Sequence, residues 1–318
     1  MTKPNNNRLQ AFGRSLRGAL QVLVSNDPLR LAGATAFFTT FALPFILIIL
    51  IQLLSLLFNR GDISTEMFDR MSSVLGEESM RQVVVTIRGF RGLVESWWAV
   101  TAGSLFMLFV VTTLFRVIRN SVNQLWMIRV DPDHAFRISM IGRLYSLLLV
   151  LVIAVLFLAG GVLEGLQVVL GKYINELLPG SGIFLSGLLS YLISVFITAI
   201  WFALLFRFVP DGRVSWPACI TGALLTSFLF SIGKLLLKHL LVDSHLEIVF
   251  GRSAPYVLVL LFVFYSAMIL YFGASFTKVW ATETRSHIGL LPHSEFYIYG
   301  KKVAEIETEN FGDEAMAN

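Results

Sequence analysis

Six stretches of this chain contain no charged side chain: Leu31–Phe58, Ser96–Phe115, Leu144–Leu163, Ser181–Phe206, Val214–Gly233 and Ser253–Thr277. Each has the roughly 20 apolar residues that a helix needs to cross a bilayer core. Lipid cannot hydrogen-bond an exposed backbone, so a spanning segment must be a helix or part of a closed barrel. Barrel strands are shorter and alternate in polarity, which these runs do not. Composition agrees, with 56% hydrophobic and 14% charged residues, against the roughly 25% charge of a water-soluble domain. The expected fold is all-α, a polytopic membrane protein with six transmembrane helices. Residues 1–30 form an amphipathic N-terminal segment, 31–282 the membrane domain, and 283–318 a polar, acidic tail.

The basic residues orient the runs. With the N-terminus inside, segments 1–30, 116–143, 207–213 and 278–318 hold 16 Lys and Arg, and the segments between the opposite run ends hold 9. Acidic residues divide almost evenly, 11 and 10, so the bias has the form of the positive-inside rule. Both termini are expected in the cytoplasm. The first run is too long for the apolar core of a signal peptide and lacks a cleavage motif, so it is expected to stay as an anchor. The single cysteine, Cys219, lies inside an apolar run and reads as a small packing residue.

Two further stretches are amphipathic. Phe12, Leu16, Ala19, Leu20 and Leu23 share a helical face from which Arg14 and Arg17 point away. Such a helix lies on the inner leaflet or packs against the bundle, and the pattern alone admits both. Between the first two runs, Ile63 to Leu75 and Met80 to Phe90 carry apolar stripes of helical spacing, expected as short helices over the outer mouth. The tail after Glu295 is rich in acid, and its default state is disorder.

Few residues carry chemistry. Pro44 sits in the middle of the first run, where it removes a helical hydrogen bond. With Thr39 and Thr40 it marks a candidate substrate path, against the plain reading of small residues that let helices pack closely. Lys234 and Lys238 share a helix face beyond the fifth run, and Lys234 lies about 27 Å along the helix from Trp216 at ~1.5 Å per residue. An anionic substrate suits that charge, whereas snorkelling to the outer interface would make it structural. Arg116, Arg119 and Asn123 fall in the basic segment after the second run, as orientation charges and as candidate contacts to anionic headgroups. Asp131, Asp133 and His134 are too few ligands for a hydrolytic metal site. No phosphate-binding loop, dinucleotide-binding glycine pattern or hydrolase motif is present. No metal, cofactor, enzymatic activity or nucleic-acid partner is expected. The expected partners are membrane lipids and a lipid or anionic amphipathic substrate, and the sequence leaves the oligomeric state open.

Several stretches taken together resemble the YihY/BrkB family of bacterial inner-membrane proteins. They are LAGATAFFTTFALPFILIIL with Pro44, SVNQLWMI with Asn123 and Trp126, FRFVPDGRVSWPACITGALL with Pro210, Gly222 and Ala223, then Lys234, and YFGASFTKVW with Gly273 and Ala274. Their order and spacing over residues 10–282 carry the resemblance, and no single motif is specific. It implies six helices with both termini inside, a place in the inner membrane, and export of a lipid or amphipathic anion that supports envelope integrity. It also implies structural positions at Trp126, Pro210, Gly222 and Gly273. The family's former ribonuclease label finds no support in these residues. The chain departs from the pattern at Ser275, where an acid is common, and at Phe37 and Phe38, where tyrosine is common. A proton-linked role for that acid therefore does not carry over.

Overall fold

The computed structural model describes residues 5–54, 97–130, 182–242, 250–284, 286, 288–290, 294–298 and 301–302, with isolated helical positions between 72 and 85. Five long helices follow five of the six uncharged runs: α2 (Pro28–Leu54), α3 (Trp97–Trp126), α4 (Gly182–Phe208), α5 (Trp216–Val242) and α6 (Ala254–Glu283). A shorter amphipathic helix, α1 (Asn5–Val24), precedes them. The third run, Leu144–Leu163, lies outside the described residues, as do most of the two stretches between α2 and α3. Three segments are long and apolar enough to cross a membrane, Pro28–Ile46, Trp216–Leu236 and Tyr256–Glu283, and Ser194–Phe208 is a shorter apolar one. The protein is a mostly helical membrane protein.

The helices outrun the uncharged stretches. α3 continues through Arg116 and Arg119 to Trp126, so the residues expected in a loop occupy the last turns of a helix. The reason is that Val122, Leu125 and Trp126 keep a buried face in register after the charges begin. α2 likewise runs without a break across Pro44, which is buried inside it.

α6 is the central helix and packs against α1, α2, α3 and α5, while α4 packs on α5 and α2 on α3. Small residues make this crowding possible. A Cβ at Gly222 of α5 would overlap the Thr277 hydroxyl of α6, and one at Gly273 of α6 would overlap the Thr226 hydroxyl of α5. Each helix thus inserts a threonine into a glycine notch on the other, and the two backbones meet closely. Gly233 is a third notch, filled by the Tyr265 ring. Outward faces are apolar instead: Phe41, Leu105, Phe109, Phe196, Phe228 and Leu236 are all exposed. A surface of that kind suits lipid and would be unfavourable in water.

The basic segments meet at one end of the bundle. There α1, the start of α2, the ends of α3, α4 and α6, and the start of α5 come together. Contacts between Trp126 and Ala274, Arg119 and Asp211, and Phe12 and Phe276 fix this arrangement. The main buried cluster includes Leu23, Leu125, Trp126, Phe206, Cys219 and Tyr271 and lies at the same end. Short strands cover it. β1 (Ile128–Val130) pairs antiparallel with β4 (Ser294–Ile298), which pairs with β5 (Lys301–Lys302). β2 (Gly212–Arg213) pairs with β3 (Gly289–Leu290).

Two expectations are decided here. Of the two readings of the N-terminal helix, packing is the one observed. Ser15, Ala19 and Leu23 are buried, the Phe12 ring meets Phe276 and Trp280 edge-on, and a Cβ at Gly18 would stand 3.0 Å from Val279 Cγ1. Arg14 and Arg17 face outward. The C-terminal tail is the other case. Its default of disorder does not hold at 296–298 and 301–302, because β4 runs into the stretch expected to be disordered and β5 lies within it. Strand pairing satisfies backbone groups that a free tail would leave to water.

Candidate functional site

The capped end gathers the described buried charge. Asp211 lies in the short link between α4 and β2 and is 4% exposed, and its partner Arg119 on α3 is 19% exposed. The Arg119 guanidinium grips the carboxylate with both Nε, at 2.9 Å, and an Nη. Such a two-point grip is the strong form of the pair. Asn123, one turn further along α3, donates from Nδ2 to Asp211 Oδ2 at 2.6 Å and accepts the Asp211 backbone N–H at 2.9 Å. The α4–β2 link is therefore held to α3 through four hydrogen bonds. Arg207, at the end of α4, donates to the Val214 carbonyl and stacks 5.4 Å above the Trp216 ring.

The end of α3 is fastened to α6 in the same region. Trp126 is fully buried, and its indole N–H donates to the Ala274 carbonyl at 2.9 Å. One turn along α6, the Lys278 ammonium donates to the Leu125 carbonyl at 3.0 Å. A cation there also complements the negative end of the α3 dipole. Met127, just past α3, takes a left-handed backbone with φ 58° and turns the chain into β1.

Deeper in the bundle, a hydroxyl-lined seam crosses from α2 to α6. The Thr35 and Tyr271 hydroxyls are hydrogen-bonded and buried, and Ser121 of α3 lies within hydrogen-bond reach of the same Tyr271 oxygen. Ser275 bonds back to the Tyr271 carbonyl at 2.9 Å. At the departure position, a serine satisfied within its own helix thus stands where the resembling family has an acid.

The expected site residues do not form one constellation. Arg119 and Asn123 are turned inward onto Asp211, while Arg116 is exposed. Thr40 bonds to the Ala36 carbonyl of its own helix at 2.8 Å, and Thr39 is half-buried. Lys234 is half-buried on α5 with its ammonium 5.5 Å from the Phe230 ring. Lys238 is on the same helix, and its side chain lies outside the described residues. Pro210 is buried beside Asp211, while Gly222 and Gly273 are the notches of the α5–α6 contact. Asp131, Asp133 and His134 lie outside the described residues. Among the described residues no group of three or more His, Cys, Asp or Glu could hold a metal ion.

Sequence reasoning passed over Asp211, Lys278 and Tyr271. Asp211 offered one signal, as an acid in a Pro-Asp-Gly turn between two apolar helices, but that pattern is explained by turn chemistry alone.

These features span most of a recognised family. The family model described as virulence factor BrkB matches residues 19–295, from α1 into β4. The chain belongs to the BrkB family. A BrkB-type relative, UPF0761 membrane protein PSHAa0171 of Pseudoalteromonas translucida (strain TAC 125), is 27% identical over 201 residues. That match covers 62% of this chain and 62% of the relative's length. No solved structure matches the chain.

Proposed function

We propose that this BrkB-family chain is a six-helix exporter of the bacterial inner membrane, with both termini in the cytoplasm. On this reading it moves a lipid or an amphipathic anion outward and supports envelope integrity. The observation that carries it is the buried Thr35–Tyr271 hydroxyl pair between α2 and α6, with the buried Arg119–Asp211 pair beside it at the capped end. Polar groups at membrane depth are costly and are kept where a polar group or ion passes. The exposed arginines of the capped end, Arg14, Arg17, Arg116, Arg129 and Arg213, support its facing the cytoplasm and its anionic headgroups.

Chain geometry supports the helix count. α3 ends at the capped end and α4 reaches that end from the other side, so the intervening chain needs an odd number of crossings, and it contains one uncharged run. The links from α2 to α3 and from α5 to α6 begin and end at the far side. Lys234 on α5 is then the cation that meets the substrate's anionic group in the far half of the bundle.

Purified protein in proteoliposomes, with fluorescent phosphatidylglycerol as probe, tests the reading. Movement across the bilayer above protein-free vesicles, reduced in Lys234→Gln and Pro44→Ala, is the expected result. Wild-type movement no greater than in empty vesicles would overturn it. The reciprocal glycine and threonine packing of α5 and α6 favours a second reading, a rigid scaffold for envelope proteins or lipids, and that negative result would select it. We further propose that the chain does not hydrolyse nucleic acid. RNA cleavage by purified protein, abolished in Asp131→Asn, would contradict this.

A further inference from the structure

The C-terminal segment makes two separate attachments at the capped end, and both are to links between helices. β3 pairs with β2, so that Gly212 faces Leu290 and Arg213 faces Gly289. β4 pairs with β1, so that Ile128 faces Phe296 and Val130 faces Ser294. The first attachment lies directly after Asp211 and the second directly after the Met127 elbow. The two strands of one short segment therefore straddle the two sides of the Arg119–Asp211 contact.

Side chains bind the three pieces into one layer. A Cβ at Gly212 would press on Ile128 Cδ1 and stand 3.0 Å from Ile288 Cγ2 and 3.5 Å from Trp126 Cε3. The missing side chain is what lets the α4–α5 link, β1 and the C-terminal segment meet at one point. Ile288 and Phe296 are half-buried against the main cluster, which includes Cys219 on the first turns of α5. Cys219 is fully buried.

We propose that the segment carrying Gly289–Leu290 and Ser294–Ile298 is a releasable strap that holds the capped end of the bundle closed. With both strands paired, α3 cannot part from the α4–α5 hairpin without breaking the backbone pairing on one side as well as the bonds of Asp211 to Arg119 and Asn123. Detachment of the strap removes that outer tie and leaves the bonds of Asp211 to Arg119 and Asn123 to hold the two sides together. The strap has the features of a low-stability unit, with short strands, few buried apolar side chains and a position at the end of the fold. Its purpose as a gate rests on the export reading, while the closure itself does not.

Cys219 is the natural reporter, because the chain has one cysteine and a buried thiol is inert toward alkylating reagents. Labelling of the full-length protein in detergent by N-ethylmaleimide is followed by intact mass. In wild type the thiol is expected to label slowly. In the double variant Ile288→Asp, Phe296→Asp it is expected to label about tenfold faster, with helical circular dichroism unchanged. Labelling no faster than wild type, with the helices retained, overturns the strap. If the variant loses helical signal, amide exchange on the wild type decides. Common protection of 128–130, 212–213, 289–290 and 294–296 supports the strap, and free exchange of 289–296 with 212–213 still protected overturns it. Neither measurement reads transport. A wild type that moves no lipid yet shows strap-dependent labelling sinks the export reading alone.

Discussion

The contact between Arg119 and Asp211 joins residues 92 positions apart, and its cost and benefit are decided by burial. Two charges taken out of water gain little as a pair, but either one left alone is expensive. Arg119→Ala strands a carboxylate that is 4% exposed and is expected to lower stability by about 3–5 kcal/mol, read as a fall in the thermal midpoint in detergent. Asp211→Asn leaves behind a guanidinium that is 19% exposed and partly hydrated, so its midpoint should fall less. The reverse order would show that the pair is not what holds Asp211 in place. Trp126→Phe keeps most of the buried ring but removes the donor to the Ala274 carbonyl. A loss of about 1 kcal/mol is expected from the missing hydrogen bond, since the Ala274 carbonyl keeps its helical partner, measurable in the same assay. The residue types at 119, 123 and 126 were visible in the sequence, and the resemblance marked Asn123 and Trp126. What they bond to was not, because hydrogen-bond partners on different helices leave no local pattern.

Among the elements, α5 and α6 show how a membrane helix pair is specified without a hydrophobic driving force. Their contact depends on glycine notches filled by threonines from the facing helix. Gly222→Ala should therefore destabilise by about 1–3 kcal/mol through overpacking. Thr277→Ala in the same chain should recover most of that loss, because the clash is with that one side chain. A double variant no better than Gly222→Ala would mean that the notch does not set the contact. The spacing of Gly222 and Thr226, and of Gly273 and Thr277, was legible as small residues one turn apart. Their reciprocity was not, since it depends on the antiparallel offset of two helices. α1 teaches a related lesson. Its amphipathic pattern said that one face would be covered, but packing against Phe276, Val279 and Trp280 was a tertiary choice. The strands β3 and β4 were hidden by their shortness, two and five residues, because so short a strand is fixed by the edge it pairs with and not by its own pattern.

At the scale of the whole molecule, the gathering of the basic segments at one end yields a prediction about sidedness. Reporter fusions after residue 30 and after residue 284 are both expected to be active as cytoplasmic markers. An extracellular signal from either would invert or break the proposed topology. The sequence by itself determined that the chain lives in a membrane, roughly where five long helices fall, and which basic segments gather at one end. Those properties are sums over neighbouring residues: about 20 apolar residues make a span, and arginine content biases a loop. Only the tertiary structure decided that Asp211 closes onto Arg119 and Asn123, that α6 is the hub, and that the C-terminal segment folds back across two links. Those outcomes depend on which faces of distant helices meet. A side chain's partner is set by that meeting and not by its neighbours along the chain.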